Sequence, residues 1–351
     1  MPLRVLLAPD KWAGTLTAPQ AVEAMTVGWS VGSPDTEVEP LPLSDGGPGF
    51  LDALHSALGG ELHLLTVSGP LGDPAPAAVL LVPGEPGPTV YVEAAQACGL
   101  ALLPGGVRAP LDATTTGVAG LLLAAAHAGA HRVVVGVGGT ASTDGGRGMV
   151  EALGGAGAWP KDVALIAATD VDSPLLGHHG AASTYGPQKG ATPGDVAELE
   201  RRLADWVAES GGDAAAEGSG AGGGLAYGLM LLGGRRASGV QTVVDAVDLV
   251  TRAAGVDLVV TGEGRLDGTS LLGKVPRGVA WAAQRAARPC VVIAGDSVVG
   301  RREYAAAGID AVYTLVETYG RSAAFEHTAE LLADLSTRVA REWTPPIGPE
   351  F

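Results

Sequence analysis

The chain has 351 residues, 46% of them hydrophobic, so it can bury a large core and form two domains. Its formal net charge of −16 argues against binding to nucleic acid, because 38 acidic residues outnumber 22 basic ones. Two cysteines are too few for a disulfide framework, and no apolar run is long enough to span a membrane. We therefore expect a globular protein of the cytoplasm that binds neither nucleic acid nor membranes.

Short apolar strands alternate with amphipathic helices at both ends of the chain, which predicts parallel sheets with helical crossovers. The predicted strands are at residues 4–8, 37–42, 133–137, 164–168, 258–261, 290–294 and 311–315, with strand-and-turn character at 62–82 and 89–93. The predicted helices are at residues 18–31, 50–58, from about 149, 278–287, 303–307 and 323–341.

The two ends of the chain share this pattern, whereas the middle differs from them. We therefore predict an α/β protein with a discontinuous, Rossmann-like or flavodoxin-like parallel-sheet domain made of residues 1–65 and 255–343. A second α/β domain, residues 66–254, is inserted in it, and a ligand site is expected in the crevice between the two. Residues 344–351 are rich in proline and are expected to form a disordered tail.

A glycine-rich loop in the middle of the chain has the features of an anion-binding turn. Gly138 and Gly139 follow a buried strand, and Gly145 and Gly146 precede a helix. The backbone N–H groups of such a loop and the positive end of the helix dipole can bind a phosphate group. Asp144 adds a carboxylate there for a magnesium ion or a substrate hydroxyl. The alternative is a tight turn without a ligand, because the loop matches neither the Walker pattern nor the dinucleotide pattern.

Charged residues cluster after several predicted strands, where open parallel sheets place their functional side chains. The clusters contain Asp10, Lys11, Asp45, Asp170, Asp172, Glu263, Arg265, Asp267 and Lys274, and a further lysine, Lys189, stands just before a helix. Each residue alone is equally explained by a turn or a solvated surface charge. Carboxylates, lysines and a glycine loop together are the components of phosphoryl transfer, in which catalysis is mainly positioning and charge neutralisation.

These motifs resemble those of the bacterial glycerate kinases of type 1, which transfer phosphate from ATP to D-glycerate. The resemblance covers nearly the whole chain and runs in family order through APDKWAGTL, PLSDGG, GVGGTASTDGGRGM, TDVDSPLLG, YGPQKGATP, GSGAGGGLAYGL and TGEGRLDGTSLLGKVPRGVA. It implies two intertwined α/β domains, an active site in a cleft, ATP with Mg²⁺ as the donor and a small hydroxy acid as the acceptor. A homodimer is compatible with the sequence.

The chain departs from the family pattern in its first two motifs. Where the family reads DSFKGS, the lysine position is Ala13 in this chain, and Lys11 stands two residues earlier. Where the family reads DGGEGT, this chain reads DGGPGF from Asp45 to Phe50, so a proline and an aromatic ring replace a carboxylate and a hydroxyl. We therefore expect Phe50 to make the acceptor pocket less polar, in favour of a bulkier or less charged substrate than glycerate.

The resemblance also implies a role for individual residues. The expected catalytic residues are Asp45, Lys189, Asp267 and Lys274, with the lysines on phosphate oxygens and one of the two acids orienting the acceptor hydroxyl and taking its proton. The expected cofactor-binding residues are Gly138, Gly139, Thr140, Asp144, Gly145 and Gly146. The expected substrate contacts are Asp10, Lys11, Phe50, Glu263 and Arg265. The expected ligands of Mg²⁺ are Asp144 and Asp170.

Two alternatives to a glycerate kinase remain open. The altered motifs could indicate an enzyme of the same fold that acts in a specialised pathway, with a different acceptor or a different chemistry. They could also indicate a catalytically inactive metabolite-binding protein, because the carboxylate of the DGGEGT motif is missing.

Overall fold

The structure, a computed structural model, describes residues 2–12 and 14–344 of the chain. Ala13, which stands at the family's lysine position, lies outside the described residues, and so does the predicted tail beyond Thr344. No helix in the described part of the chain is both long and apolar enough to cross a membrane.

Strands and helices alternate along most of the chain. The strands are β1 (Arg4–Leu7), β2 (Glu37–Pro40), β3 (Glu61–Ser68), β4 (Pro74–Val82), β5 (Thr89–Glu93), β6 (Arg132–Gly136), β7 (Ala164–Ala168), β8 (Arg235–Ala237), β9 (Leu258–Leu266), β10 (Cys290–Ser297) and β11 (Ala311–Thr314). The helices are α1 (Ala18–Gly32), α2 (Phe50–Leu58), α3 (Ala95–Cys98), α4 (Thr116–His127), α5 (Arg147–Leu153), α6 (Ala181–Tyr185), α7 (Pro193–Ser210), α8 (Ala221–Leu231), α9 (Gly239–Ala246), α10 (Leu249–Ala254), α11 (Ser270–Gly273), α12 (Val275–Arg285), α13 (Arg301–Ala306), α14 (Leu315–Tyr319), α15 (Arg321–Glu326) and α16 (Thr328–Trp343). Short 3₁₀ helices lie at Leu100–Leu102, Pro104–Gly106 and Pro187–Lys189.

The chain divides into two compact units, and the predicted α/β class is confirmed. The first unit comprises Met1–Asp45, Asp52–Leu58 and Val240–Phe351, and the second comprises Gly46–Leu51 and Gly59–Gly239. Three stretches lie on the other side of the predicted boundaries, namely residues 46–51, 59–65 and 240–254. Strand β3 belongs to the second unit, because it pairs with β4 along its whole length. Helix α10 belongs to the first unit, where it packs against α12.

The first unit is built on a parallel sheet with the strand order β11-β10-β9-β1-β2. One face of this sheet packs its apolar side chains against α1 and α16. Alternate residues such as Leu6, Val259 and Val292 are fully buried as well, and α12 contacts β9 and β10. A sheet covered on both faces explains why its strands read as continuous apolar runs in the sequence.

Strand β9 extends beyond its predicted end at residue 261, as far as Leu266. The reason lies in two glycines that break the apolar pattern without breaking the strand. At Gly262 a β-carbon would lie 2.2 Å from the carbonyl oxygen of Ile293 and 2.6 Å from the Trp12 ring, so a side chain does not fit there. The extension keeps Glu263 and Arg265 inside the strand, paired with residues of β10.

The second unit contains a mixed sheet with the strand order β3-β4-β5-β6-β7-β8. Strands β3, β4 and β5 pair antiparallel, and β5 to β8 pair parallel. The buried strand β6 leads directly into the glycine-rich loop, and α5 follows that loop. Helix α7 begins with a capping box, in which the Thr192 side chain accepts a hydrogen bond from the Asp195 amide and the Asp195 side chain accepts one from the Thr192 amide.

Candidate active site

A cavity of about 350 Å³ in the first unit brings together the predicted site residues of that unit. It lies where β1, β2 and β9 end, and β1 stands between β9 and β2 in the sheet. The chain order therefore reverses at β1, and open α/β sheets bind their ligands at such a reversal. The charged residues that line the cavity are Asp10, Lys11, Asp45, Glu263, Arg265, Asp267 and Lys274. Ligand pockets typically measure about 300–1,000 Å³, so this cavity suits a small metabolite.

Asp10 and Lys11 are positioned by the backbone that follows β1. The amide of Asp10 donates to the carbonyl oxygen of Gly262 at 2.8 Å, which fixes the turn against β9. The Asp10 side chain is 5% exposed, and its Oδ1 accepts a hydrogen bond from the Lys11 amide at 2.7 Å. The pKa of Asp10 is raised to about 7, mainly by burial; the charge of Lys11 opposes this rise and the charge of Asp45 adds to it.

Glu263 is the other buried carboxyl group of the cavity. Its side chain is 5% exposed, and Oε1 has no hydrogen-bond partner within the described residues. Burial raises the pKa of Glu263 to about 7, and the ammonium group of Lys274 opposes this rise. A carboxyl group with an unused buried oxygen beside a cavity is available to a ligand, because buried polar atoms are nearly always hydrogen-bonded.

Asp267 has a different environment from the other acids. Its Oδ1 accepts hydrogen bonds from the amides of Thr269 and Ser270 at 2.9 and 3.2 Å, and from the Thr269 hydroxyl at 2.6 Å. The Thr269 hydroxyl bond holds the pKa of Asp267 below its ordinary value. Asp267 therefore shapes the turn before α11. Lys274 stands directly before α12, so its ammonium group and the positive end of this helix dipole favour the same anion.

In the second unit, the glycine-rich loop is closed around the carboxylate of Asp144. Asp144 accepts five hydrogen bonds: from the Thr115 amide and hydroxyl at 2.9 and 2.8 Å, from the Thr114 hydroxyl at 3.3 Å, and from the Gly146 and Gly148 amides at 3.1 and 3.2 Å. The carboxylate of Asp144 thus accepts the hydrogen bonds that the amides at the start of α5 could otherwise give to a bound anion.

Further amides of the loop also have partners within the second unit. The Gly138 amide donates to the carbonyl oxygen of Gly46 at 3.1 Å, and the Gly145 amide donates to that of Gly223 at 3.1 Å. The predicted binding of a phosphate by this loop stays a prediction, and it would require these amides to exchange their present partners.

Lys189 is buried behind the same loop, with a side chain only 4% exposed. Its Nζ donates to Oγ1 of Thr140 at 3.1 Å and to the carbonyl oxygen of Ser142 at 2.5 Å. Burial lowers the pKa of Lys189 to about 8, although the charge of Asp144 opposes this fall. Lys189 therefore holds the loop in shape here, and its expected contact with a phosphate stays a prediction.

The structure gives no direct support for a preformed metal centre. The residues it describes contain no group of three or more His, Cys, Asp or Glu side chains that could hold a metal ion. Asp170, one of the two expected ligands, accepts a hydrogen bond from the Ser238 hydroxyl at 2.5 Å. Asp172 forms an ion pair with Arg236.

Phe50 is packed inside the second unit. It is fully buried, and its ring meets that of Tyr91 edge-on with the centroids 6.0 Å apart. It also lies against Gly136, where a β-carbon would be 3.0 Å from the Phe50 ring. Phe50 therefore packs in the core of the second unit, and its expected place in the acceptor pocket stays a prediction.

Sequence reasoning missed the less polar residues that line the cavity. Trp12 and Thr15 belong to the first motif, next to Lys11, and this position in the motif could have indicated them. Three more residues come from helices that the sequence analysis did not separate: Val316 from α14, and Ala324 and Phe325 from α15. No motif marks these three residues, because only the path of the chain brings them to the ends of β1 and β9.

A second cavity, of about 400 Å³, lies in the second unit and includes Thr143, Asp144 and Arg147. Arg147 stacks over the Trp206 ring at 5.2 Å and forms ion pairs with Glu151 and Glu209 at 2.7 and 3.1 Å. Its charge is thus balanced by acids of the protein. The cavity borders the predicted cofactor-binding loop. Arg147 is paired with these acids and therefore has no excess positive charge with which to attract a phosphate group.

Known proteins resemble this chain along nearly its whole length. The glycerate kinase family pattern matches residues 5–158 and 155–344. An uncharacterized protein of Mycobacterium bovis, Mb2228c, is 43% identical over 350 residues, covering 96% of this chain and 91% of its own. A glycerate kinase of Bacillus subtilis is 36% identical over 372 residues, covering 96% of this chain and 97% of its own.

A solved structure shares the fold as well. The crystal structure of a protein assigned as glycerate kinase 2 from Salmonella typhimurium LT2 has a TM-score of 0.78 and 31% sequence identity, and the match covers 97% of this chain and 98% of that one. The motifs, the fold and these relatives all indicate the same family. The chain belongs to the glycerate kinase family and is an enzyme of the phosphotransferase class.

Proposed function

We propose that this enzyme transfers the γ-phosphate of ATP to a hydroxyl group of D-glycerate or a related small hydroxy acid. The observation that carries the proposal is the cavity in which four carboxyl groups, two lysines and an arginine converge. These residues come from motifs that are far apart in the sequence. The Bacillus subtilis relative is named a glycerate kinase.

The positive side chains of the cavity suit two anionic groups. Lys274, at the start of α12, is placed to bind a phosphate oxygen, because the helix dipole adds to its charge. Lys11 and Arg265 line the same cavity and are candidates for the carboxylate of the acid. Neutralising charge and holding the acceptor in line are the main contributions of a protein to phosphoryl transfer.

Asp45 is the better of the two acids first expected to orient the acceptor hydroxyl. Its Oδ1 lies 3.5 Å from Nζ of Lys11, and both side chains line the cavity. Asp267 is less suited to accept a proton, because hydrogen bonds from its own turn hold its pKa low.

A magnesium ion fits the described residues only if the nucleotide supplies most of its ligands. Mg²⁺ usually keeps several waters and takes one or two carboxylates together with phosphate oxygens. Asp144 is poorly suited to this need, because its carboxylate already accepts five hydrogen bonds. When bound with ATP, the ion would neutralise charge on the β- and γ-phosphates.

We infer that D-glycerate suits the cavity better than the less polar acceptor expected from the altered second motif. That expectation rested on Phe50, which packs in the core and is not among the residues lining the cavity. We therefore retain D-glycerate as the leading acceptor. The charged residues that converge in the cavity favour an active enzyme over an inactive metabolite-binding protein.

The test is to incubate the purified protein with Mg-ATP and D-glycerate and to follow the release of ADP. Mass spectrometry identifies phosphoglycerate, and chromatography against standards assigns the hydroxyl that is phosphorylated. Other hydroxy acids are assayed in parallel. ADP release without a phosphorylated acid, or none with any acid, would contradict the proposal, and turnover only with another acid would contradict D-glycerate as the acceptor.

A further inference from the structure

Glu263 differs from the other carboxyl groups of the cavity in having an unused oxygen. Asp10 accepts a hydrogen bond from the Lys11 amide at 2.7 Å, Asp45 lies 3.5 Å from the Lys11 ammonium nitrogen, and Asp267 accepts several bonds from its own turn. Oε1 of Glu263 is buried and has no partner in the part of the chain that the structure describes. Buried acceptors are nearly always hydrogen-bonded, so this oxygen can take a hydrogen bond from a ligand.

Another residue that lines this cavity has an unused buried donor. Nε1 of Trp12 has no hydrogen-bond partner among the residues described, and the side chain is 2% exposed. Glu263 and Trp12 both line the cavity. A ligand hydroxyl can donate to a carboxylate and accept from an indole N–H, so it complements an unused acceptor and an unused donor.

We propose that Glu263 is the catalytic base, with its Oε1 accepting the proton of the acceptor hydroxyl. The proposal rests on the proposed kinase function. In the reaction a bond forms between the hydroxyl oxygen and the γ-phosphorus, and the bond from that phosphorus to the bridging oxygen of ADP breaks. The proton of the hydroxyl moves to Oε1 of Glu263 and then to solvent, so that ATP and the acid yield ADP, the phosphorylated acid and one proton.

The charges around Glu263 suit a base that works near neutral pH. The charged groups that line the cavity with it are Asp10, Lys11, Asp45, Arg265, Asp267 and Lys274. Burial raises the pKa of Glu263 to about 7, Lys274 and the Ser270 hydroxyl lower it, and Asp10 and Asp267 raise it. A base whose pKa is close to the working pH combines a useful ionised fraction with a strong affinity for the proton.

The experiment compares three variants with the wild type. Glu263→Gln keeps the size of the side chain and can still hydrogen-bond, but it cannot take up a proton. Glu263→Asp keeps the carboxylate on a shorter chain. Glu303→Gln is the control: it makes the same exchange in the same unit, on an exposed residue that caps α13 outside the cavity. For each variant we would measure kcat and KM with D-glycerate from pH 5.5 to 9, together with the Kd for ATP and the Tm.

The proposal predicts that Glu263→Gln lowers kcat by about 10²–10⁴-fold, the usual contribution of a general base. The Kd for ATP should stay near wild type, and the Tm should equal or exceed that of the wild type, because the variant has no buried carboxyl group to ionise. In the wild type kcat/KM, which reports ionisation of the free enzyme, should fall on the acidic side of about pH 7. This dependence should disappear in the residual activity of Glu263→Gln. Glu263→Asp should recover part of the rate, and Glu303→Gln should equal the wild type.

Wild-type kcat and an unchanged acidic limb in Glu263→Gln would overturn the proposal, since an amide that donates or accepts would then suffice. A large fall in Tm with an unchanged acidic limb would overturn it as well, because it indicates a structural role. Failure of the proposed kinase function is recognised separately, since the wild type itself would then release no ADP with any hydroxy acid.

Discussion

Nζ of Lys11 lies 3.5 Å from Oδ1 of Asp45, so the loops that follow β1 and β2 meet through an ion pair at the mouth of the cavity. The family's lysine position falls on Ala13 in this chain. Lys11, two residues earlier, nevertheless brings its ammonium group to the cavity. This position supports the view that Lys11 takes over a positive charge that the first motif otherwise lacks.

Replacing Lys11 by methionine should therefore lower kcat/KM for D-glycerate by about 10²-fold, as loss of a charge-assisted hydrogen bond to substrate costs about 1.5–3 kcal/mol. Steady-state kinetics with ADP release as the readout measures the effect. Lys161→Met, the same exchange at an exposed lysine of the second unit, serves as the control. Equal kcat/KM in the two variants would show that Lys11 does not contact the substrate.

Asp267 should behave as a structural residue of the turn before α11. Asp267→Asn keeps the oxygen that accepts from Thr269 and Ser270, so we expect most of the wild-type kcat and Tm. Asp267→Ala removes this acceptor and should lower the free energy of unfolding by about 1 kcal/mol. Urea unfolding and initial rates distinguish the two variants. A fall in kcat of several orders of magnitude in Asp267→Asn would restore the catalytic role that the resemblance implies.

The two buried acids of the cavity should make the free enzyme less stable as the pH rises. The pKa values of Asp10 and Glu263 are about 7 in the folded protein and lie above their ordinary values. Between those ordinary values and about pH 7 the folded state holds more protons than the unfolded state, so the free energy of unfolding falls with increasing pH. Asp10→Asn should show a smaller fall in Tm between pH 5 and 7 than the wild type does. Parallel curves for the two proteins would contradict this origin of the pH dependence.

Asp144 should contribute to the stability of the second unit. Asp144→Ala leaves the amides of Gly146 and Gly148 and the donors of Thr115 without their shared acceptor, which should lower the free energy of unfolding by about 3 kcal/mol. Asp195→Ala, which removes an exposed acid at the start of α7, should have a smaller effect. Denaturant unfolding measures both. If Asp144→Ala folds as stably as the wild type but loses activity, the carboxylate serves a ligand instead.

The charged residues of the cavity were predictable because of how parallel sheets are built. Residues that follow the carboxyl ends of adjacent strands meet at one edge, whatever their distance in the sequence, and this rule placed Asp10 and Asp45 together. The partners of Asp144 were not predictable from local sequence, because Thr115 is 29 residues away and reaches Asp144 only in the folded unit. The orientation of the Phe50 side chain was not predictable either, because it depends on packing against Tyr91, which is distant in the sequence.

Lys274 can be tested by comparing the transfer of phosphate from Mg-ATP to D-glycerate by the wild type and by Lys274→Met. The cavity account predicts phosphoglycerate and one ADP for each phosphorylated acid from the wild type, and a turnover at least about 10²-fold lower for the variant. A wild type that forms no phosphorylated acid, or a variant that forms it at the wild-type rate, would contradict the account.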